Sequence, residues 1–129
     1  NAAALLSHYF AYDLGPQEHI GNFLNVYVPL QHLDWTTDYV GKVRSKGWMS
    51  VHAAVTVVRR AKSLKDVLID SVAFTGDVDT VATIAMAAAS FSPDIDKSIP
   101  QALIDTMENG TYGKDYIKQL DDRLLKKFT

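Results

Sequence analysis

The stretch that decides the fold is Thr75-Gly76-Asp77-Val78-Asp79-Thr80, together with the nine residues that follow it. Residues 81–89 consist only of Ala, Val, Ile, Met and Thr, so they present no charged face to water. Such a segment is typical of a buried helix that its neighbours approach closely. Gly76 supplies the backbone freedom that a tight turn needs. We therefore expect a buried central helix entered through a turn.

Apolar residues at helical spacing continue on the N-terminal side of this stretch. They predict helices over residues 3–12 and 17–28, a mixed loop with at most one helical turn over residues 30–47, and a helix from Trp48 to Arg60. Ser63 then matches an N-cap with an acidic residue three positions later. This pattern predicts a further helix that ends near Phe74.

Two helices are predicted after the central stretch. Ser98 and Gln101 form a capping-box pattern around Pro100, which predicts a helix that continues to Met107. The second is an amphipathic helix over residues 114–128, with four apolar side chains expected to face inward: Ile117, Leu120, Leu124 and Phe128. No strand pattern competes with these helices, so the sequence predicts a single all-α domain over residues 1–129.

Composition limits the class of protein. Hydrophobic residues make up 47% and charged residues 22% of the 129 residues, the balance of a globular domain with its own core. The net charge is -2 with both signs interspersed, so there is no basic stripe to bind nucleic acid. The sequence also has no apolar run long enough to span a membrane. Cysteine is absent, which excludes disulfides and thiolate chemistry. We expect a cytoplasmic protein that binds neither nucleic acid nor membranes.

Asp77, Asp79 and Thr80 lie together at the start of the central helix. Two carboxylates and a hydroxyl offer only oxygen, which hard cations such as Mg²⁺ and Mn²⁺ prefer. A purely structural role fits equally well, because Asp is a favoured N-cap and a second acid in the first turn complements the helix dipole. Either structural effect is worth about 0.5–2 kcal/mol, so spacing alone leaves both interpretations open. His52 has no metal-ligand spacing with the other histidines, and we expect it to pack or to lie on the surface.

The run from Phe74 to Ala85 resembles the C-terminal signature of the ADP-ribosylglycohydrolase family, in which a Gly-Gly-Asp-x-Asp-Thr segment opens a buried Ala-rich helix. Gly47-Trp48 upstream and Ile99-Pro100 downstream also resemble elements of that family. The similarity is specific over about residues 46–113, and Thr75 stands where the family has its first glycine.

The resemblance implies an all-α, orthogonally packed helical fold with two metal ions, Mg²⁺ or in some members Mn²⁺, in a central cleft. Asp77, Asp79 and Thr80 match the family's metal ligands. The implied activity is hydrolysis of the glycosidic bond that joins ADP-ribose to a protein or to a small molecule. The resemblance assigns no catalytic residue in this chain.

The resemblance also implies a second group of metal ligands, often Thr-Asp-Asp, in the family's N-terminal half. Asp34 and Asp38 are the nearest candidates, and their order does not match. We therefore expect this chain to be the C-terminal fragment of a larger hydrolase, with half of a metal site that a missing N-terminal half or a homo-oligomer completes. The alternative is a non-catalytic helical module, crystallin-like or self-associating.

Overall fold

The computed structural model describes residues 1–128. Its helices are α1 (Ala2–Ala11), a 3-10 turn (Gln17–His19) that leads into α2 (Ile20–Tyr27), α3 (Gly47–Val58), α4 (Leu64–Ala73), α5 (Val78–Phe91), α6 (Gln101–Asp105) and α7 (Lys114–Phe128). The described part of the chain contains isolated backbone pairings but no β-strand, which confirms the all-α prediction. Within residues 1–128, no helix has both the length and the apolar character needed to cross a bilayer.

Contacts group the chain into two compact units, Asn1–Ser98 and the residues from Ile99 onward. The first unit holds α1 to α5 and all the buried apolar side chains of the described residues. Its centre is α5, which packs against α4, α3 and α1. The core is therefore built around the helix that starts beside Asp77.

One face of α5 is made of small buried residues, namely Val81, Ala85, Ala88 and Ala89. Their short side chains let the neighbouring helices pack close to the α5 backbone. Thr83 on the other face is exposed, so the helix predicted to be buried is buried along one face only. The helices that pack against α5 cover only one side of it. The small side chains on that side allow the close packing.

Two N-cap predictions have different outcomes. Ser63 caps α4 as predicted, because its hydroxyl accepts a hydrogen bond from the Asp66 N–H at 3.0 Å. Ser98 does not cap α6: the N-cap position is Pro100, and the Ser98 hydroxyl donates to a carboxylate two residues earlier. A helix capped by Ser98 would require a helical Ile99, which is disfavoured because a proline follows it.

The apolar stripe of α7 is exposed. The exposed fractions are 53% at Ile117, 41% at Leu120, 57% at Leu124 and 80% at Phe128, so the prediction that these side chains face inward is wrong. Only the short helix α6 accompanies α7 in the second unit, and no apolar side chain among that unit's described residues is buried. The amphipathic pattern predicted the helix correctly but not its burial.

Candidate metal centre

The turn before α5 has an unusual backbone. Thr75 and Gly76 both have positive φ, 63° and 83°, a conformation that glycine adopts freely and a β-branched residue adopts at a cost. The turn is held by Val43, whose N–H donates to the Thr75 carbonyl oxygen at 3.2 Å and whose carbonyl oxygen accepts from the Asp77 N–H at 3.1 Å. A Cβ on Gly76 would lie 2.0 Å from that Val43 oxygen. Both conformation and space therefore require glycine there.

Asp77 occupies the N-cap position of α5 but its side chain makes no N-cap hydrogen bond. Its Oδ1 accepts a hydrogen bond from the Thr80 hydroxyl at 2.7 Å, and its Oδ2 accepts a long one from the Ser50 hydroxyl at 3.4 Å. Ser50 is buried in the first turn of α3, so the carboxylate joins the beginnings of two helices. Asp77 thus bonds to side chains rather than to the backbone amides that a cap satisfies.

The surroundings of Asp77 favour its ionised form. The hydrogen bond from the Thr80 hydroxyl is the largest cause that holds the pKa of Asp77 below its ordinary value of 3.8, and the Asp79 and Ser50 side chains act in the same direction. The Thr80 N–H adds a smaller effect from a position outside hydrogen-bond geometry. Desolvation opposes these contacts without reversing them. Asp77 is therefore an anion at neutral pH.

Asp79 and Thr80 are exposed in the first turn of α5. The two carboxylates lie at the positive end of the helix dipole, which stabilises them without any cation. Among residues 1–128, no three His, Cys, Asp or Glu side chains come together in a way that could hold a metal ion. The predicted ligands are therefore two carboxylates and one hydroxyl, about half of the roughly six oxygens that Mg²⁺ requires.

Asp34 and Asp38, the nearest candidates for a second acidic cluster, have other partners. Asp34 accepts a hydrogen bond from the Asn25 amide at 2.7 Å, which is the largest cause that lowers the pKa of Asp34 to about 2. Asp38 forms ion pairs with Arg59 and Arg60. These contacts hold the connection between α2 and α3 in place, which gives both carboxylates a structural role.

Ser50 and Val43 are the residues of this site that the sequence does not single out. Ser50 lies 27 residues before Asp77, and no local pattern links the two. Val43 acts through its backbone atoms, so its side-chain type carries no signal. Of the two positions expected for His52, the structure shows the packed one: His52 is buried, and its Nε2–H donates to the Thr37 carbonyl oxygen at 2.8 Å.

Comparison with models of known protein families, with curated proteins and with solved structures finds no match to this chain. The resemblance to the ADP-ribosylglycohydrolase family therefore stays a prediction that rests on residues 74–85 and their flanking elements. The geometry by itself offers two neighbouring carboxylates and a hydroxyl that donates a hydrogen bond to one of them. That arrangement suits a hard cation, and it also stabilises the start of α5.

Proposed function

We propose that this chain is the C-terminal part of an ADP-ribosylglycohydrolase-like hydrolase in which Asp77, Asp79 and Thr80 supply half of a Mg²⁺ site. The reaction is hydrolysis of the glycosidic bond that joins ADP-ribose to a protein side chain or to a small molecule. Mn²⁺ suits the same oxygen ligands. The remaining ligands come from a complementary N-terminal half or from another copy of the chain.

The observation that best supports this proposal is the 2.7 Å hydrogen bond from Thr80 Oγ1 to Asp77 Oδ1. A hydroxyl has one proton and two lone pairs. Because the Thr80 hydroxyl donates its hydrogen bond to Asp77, the lone pairs of its oxygen remain available to coordinate a cation.

The surrounding contacts keep these three ligands in place. Gly76 and Val43 fix the turn, and Ser50 holds the second oxygen of Asp77. Asp79 and Thr80 are exposed, so both are accessible to a cation and to a substrate. Asp77, Asp79 and Thr80 would hold the Mg²⁺, and its positive charge would serve to orient the ribose hydroxyls and to polarise a water for attack at the anomeric carbon.

Mn²⁺ binding to the 129-residue chain, measured by electron paramagnetic resonance, tests the metal role. We expect weak binding, with Kd of about 10⁻⁴–10⁻³ M, because only about half of the ligands are present. Asp77→Asn combined with Asp79→Asn should weaken it at least about tenfold. The amide oxygen of Asn can still accept the hydrogen bond from the Thr80 hydroxyl, so the start of α5 keeps this contact.

Asp94→Asn combined with Asp96→Asn is the matched control, because these two acids have the same spacing as Asp77 and Asp79 and, like Asp79, are exposed. This control should bind Mn²⁺ like the unchanged chain. An equal effect of both double variants on binding would contradict the metal role. Hydrolysis is measured as release of ADP-ribose by the chain joined to its complementary half, where Asp77→Asn should abolish activity while the protein stays folded, since the amide oxygen of Asn can still accept the hydrogen bond from Thr80.

The second candidate is a non-catalytic, self-associating helical module, and the exposed apolar stripe of α7 favours it. Ile117, Leu120, Leu124 and Phe128 lie on one face of that helix and are all exposed. If this face pairs with a second copy, the chain sediments as a dimer and Leu124→Lys converts it to a monomer. A chain that is monomeric at high concentration excludes this candidate.

A further inference from the structure

A cavity of about 370 Å³ lies beside the end of α1 and α2, at the small end of the range for ligand pockets. Its lining includes three aromatic side chains, Tyr9, Phe23 and Tyr27, and we call it the aromatic cavity. None of the residues that line it belongs to the candidate metal centre. It is therefore a separate candidate site within the first unit.

The aromatic rings that line the cavity are tilted against one another rather than parallel. The ring centroids of Tyr9 and Phe23 are 5.1 Å apart with their planes at 59°, and those of Phe23 and Tyr27 are 4.6 Å apart with their planes at 43°. A planar ligand stacks best on parallel faces, whereas tilted rings present their π electrons to a compact group. The geometry favours a compact ligand over a flat one.

The position of Tyr9 is fixed by contacts within the chain. The Tyr9 hydroxyl donates to the Pro16 carbonyl oxygen at 2.8 Å, and Tyr9 is almost fully buried. A Cβ on Gly15 would lie 2.6 Å from that hydroxyl oxygen, so the chain passes directly against the ring. Tyr27 is 63% exposed and is accessible from solvent. The cavity thus combines a rigid floor with an accessible edge.

Two acidic residues flank the lining of the aromatic cavity without belonging to it: Asp13 precedes Leu14 and Glu18 precedes His19 in the sequence, and both Leu14 and His19 line the cavity. Residues 1–41 contain no Lys or Arg, and among the described residues none of either type lines the cavity. Burial raises the pKa of Tyr9, and the nearby charges of Glu18 and Asp13 raise it further. Negative charge at this position attracts a cationic ligand and repels an anionic one.

We propose that the aromatic cavity binds a small organic cation that carries a trimethylammonium group. This group is compact and cannot donate a hydrogen bond, so its recognition depends on ring faces and nearby negative charge. The tilted rings of Phe23 and Tyr27 beside the buried Tyr9 provide the ring faces, and Asp13 and Glu18 beside the lining provide the negative charge. The same group occurs in free choline-like molecules and in trimethylated lysine side chains, and the cavity recognises the chemistry they share.

Choline and dimethylbutanol, its neutral analogue with carbon in place of nitrogen, separate cation recognition from simple apolar binding. Choline added to the full chain should give saturable shifts of the Asn22, Phe23 and Tyr27 amides in NMR spectra. Dimethylbutanol should bind at least about fivefold more weakly. Equal binding of the two, or no saturable shift up to about 10 mM choline and trimethyl-lysine, overturns the proposal. Whichever of those two cations binds more tightly identifies the natural source of the group.

Two variants test the rings and the charge separately. Tyr27→Leu removes one ring but keeps an apolar side chain, and it should weaken choline binding about fivefold while leaving dimethylbutanol binding unchanged. Glu18→Gln removes one exposed charge and should also weaken choline binding. Tyr112→Leu is the matched control, because Tyr112 is 73% exposed and lies outside the cavity. If neither variant changes choline binding, the proposal is overturned.

Discussion

The carbonyl oxygen of Val43 lies 2.0 Å from the position that a Cβ atom on Gly76 would occupy. The same oxygen accepts the Asp77 N–H at 3.1 Å, so one backbone group both closes the turn and fixes the residue that starts α5. The geometry of the candidate metal centre therefore depends on a contact between a loop and a glycine. This contact can be tested without changing any predicted ligand.

Gly76→Ala should destabilise the protein by about 2 kcal/mol or more, because it combines a strained backbone with a collision against Val43. Gly41→Ala is the matched control: Gly41 also has positive φ, 102°, but nothing lies within 4 Å of its Cβ position. Urea denaturation measures both. Gly41→Ala should cost about 1–2 kcal/mol from backbone strain alone. Equal losses in the two variants would show that the Val43 contact adds nothing.

Thr75→Gly should stabilise the protein, because Thr75 has a φ of 63° that a β-branched residue adopts unfavourably. Relief of about 1–2 kcal/mol of strain is partly offset by about 0.5–1 kcal/mol of extra backbone entropy in the unfolded chain. We expect a net gain of about 0.5–1 kcal/mol in the free energy of unfolding. Thr75→Ala keeps the Cβ and should not show this gain. A loss of stability in Thr75→Gly would mean that the threonine side chain contributes contacts that outweigh the strain.

Local signals in the sequence predicted the helices and one of the two caps. They failed where another local restriction or a contact between distant residues determined the structure. Ser63 caps α4 because the cap involves only residues close in the chain. Ser98 matches the same pattern, but Pro100 prevents the required helical conformation of the residue before it. The capping-box spacing alone does not show whether the cap or the restriction imposed by a following proline decides the local structure.

The sequence could propose the candidate ligands but could not predict the contacts around them. Asp77, Asp79 and Thr80 lie within four residues of one another, so a motif can propose them. The contact from Ser50 spans 27 residues and depends on how α3 packs beside α5. The exposed stripe of α7 shows the same limit, because periodicity predicts an apolar face but not what covers it.

Thr80→Val should raise the pKa of Asp77 toward its ordinary value, because it removes the hydrogen bond that lowers this pKa most. The folded protein binds this proton less tightly than the unfolded chain, so the contact stabilises the fold above pH 3.8 and this stabilisation is lost as the pH falls through the lowered pKa. Thr80→Val should therefore be less stable at neutral pH, and the difference should narrow below pH 3.8.

Thr80→Ser is the control for that change, because it keeps the hydroxyl that donates to Asp77. Its Asp77 carboxyl should titrate as in the unchanged protein. Carbon NMR of the carboxyl group gives the pKa directly, and urea denaturation across the acid range gives the linked stability. An Asp77 pKa that is the same in Thr80→Val would show that Asp79 and Ser50 suffice to hold the carboxylate.

Ser71→Ala should stabilise the protein, because the Ser71 hydroxyl is buried in α4 and finds no hydrogen-bond partner among residues 1–128. Removing an unsatisfied buried hydroxyl recovers about 1–2 kcal/mol of desolvation cost, and alanine adds a small gain in helix propensity. Ser90→Ala in α5 is the control, since Ser90 is exposed and already donates to the Ala87 carbonyl oxygen. The melting temperature should therefore rise more for Ser71→Ala than for Ser90→Ala. A fall in Ser71→Ala would mean that the hydroxyl is satisfied in solution.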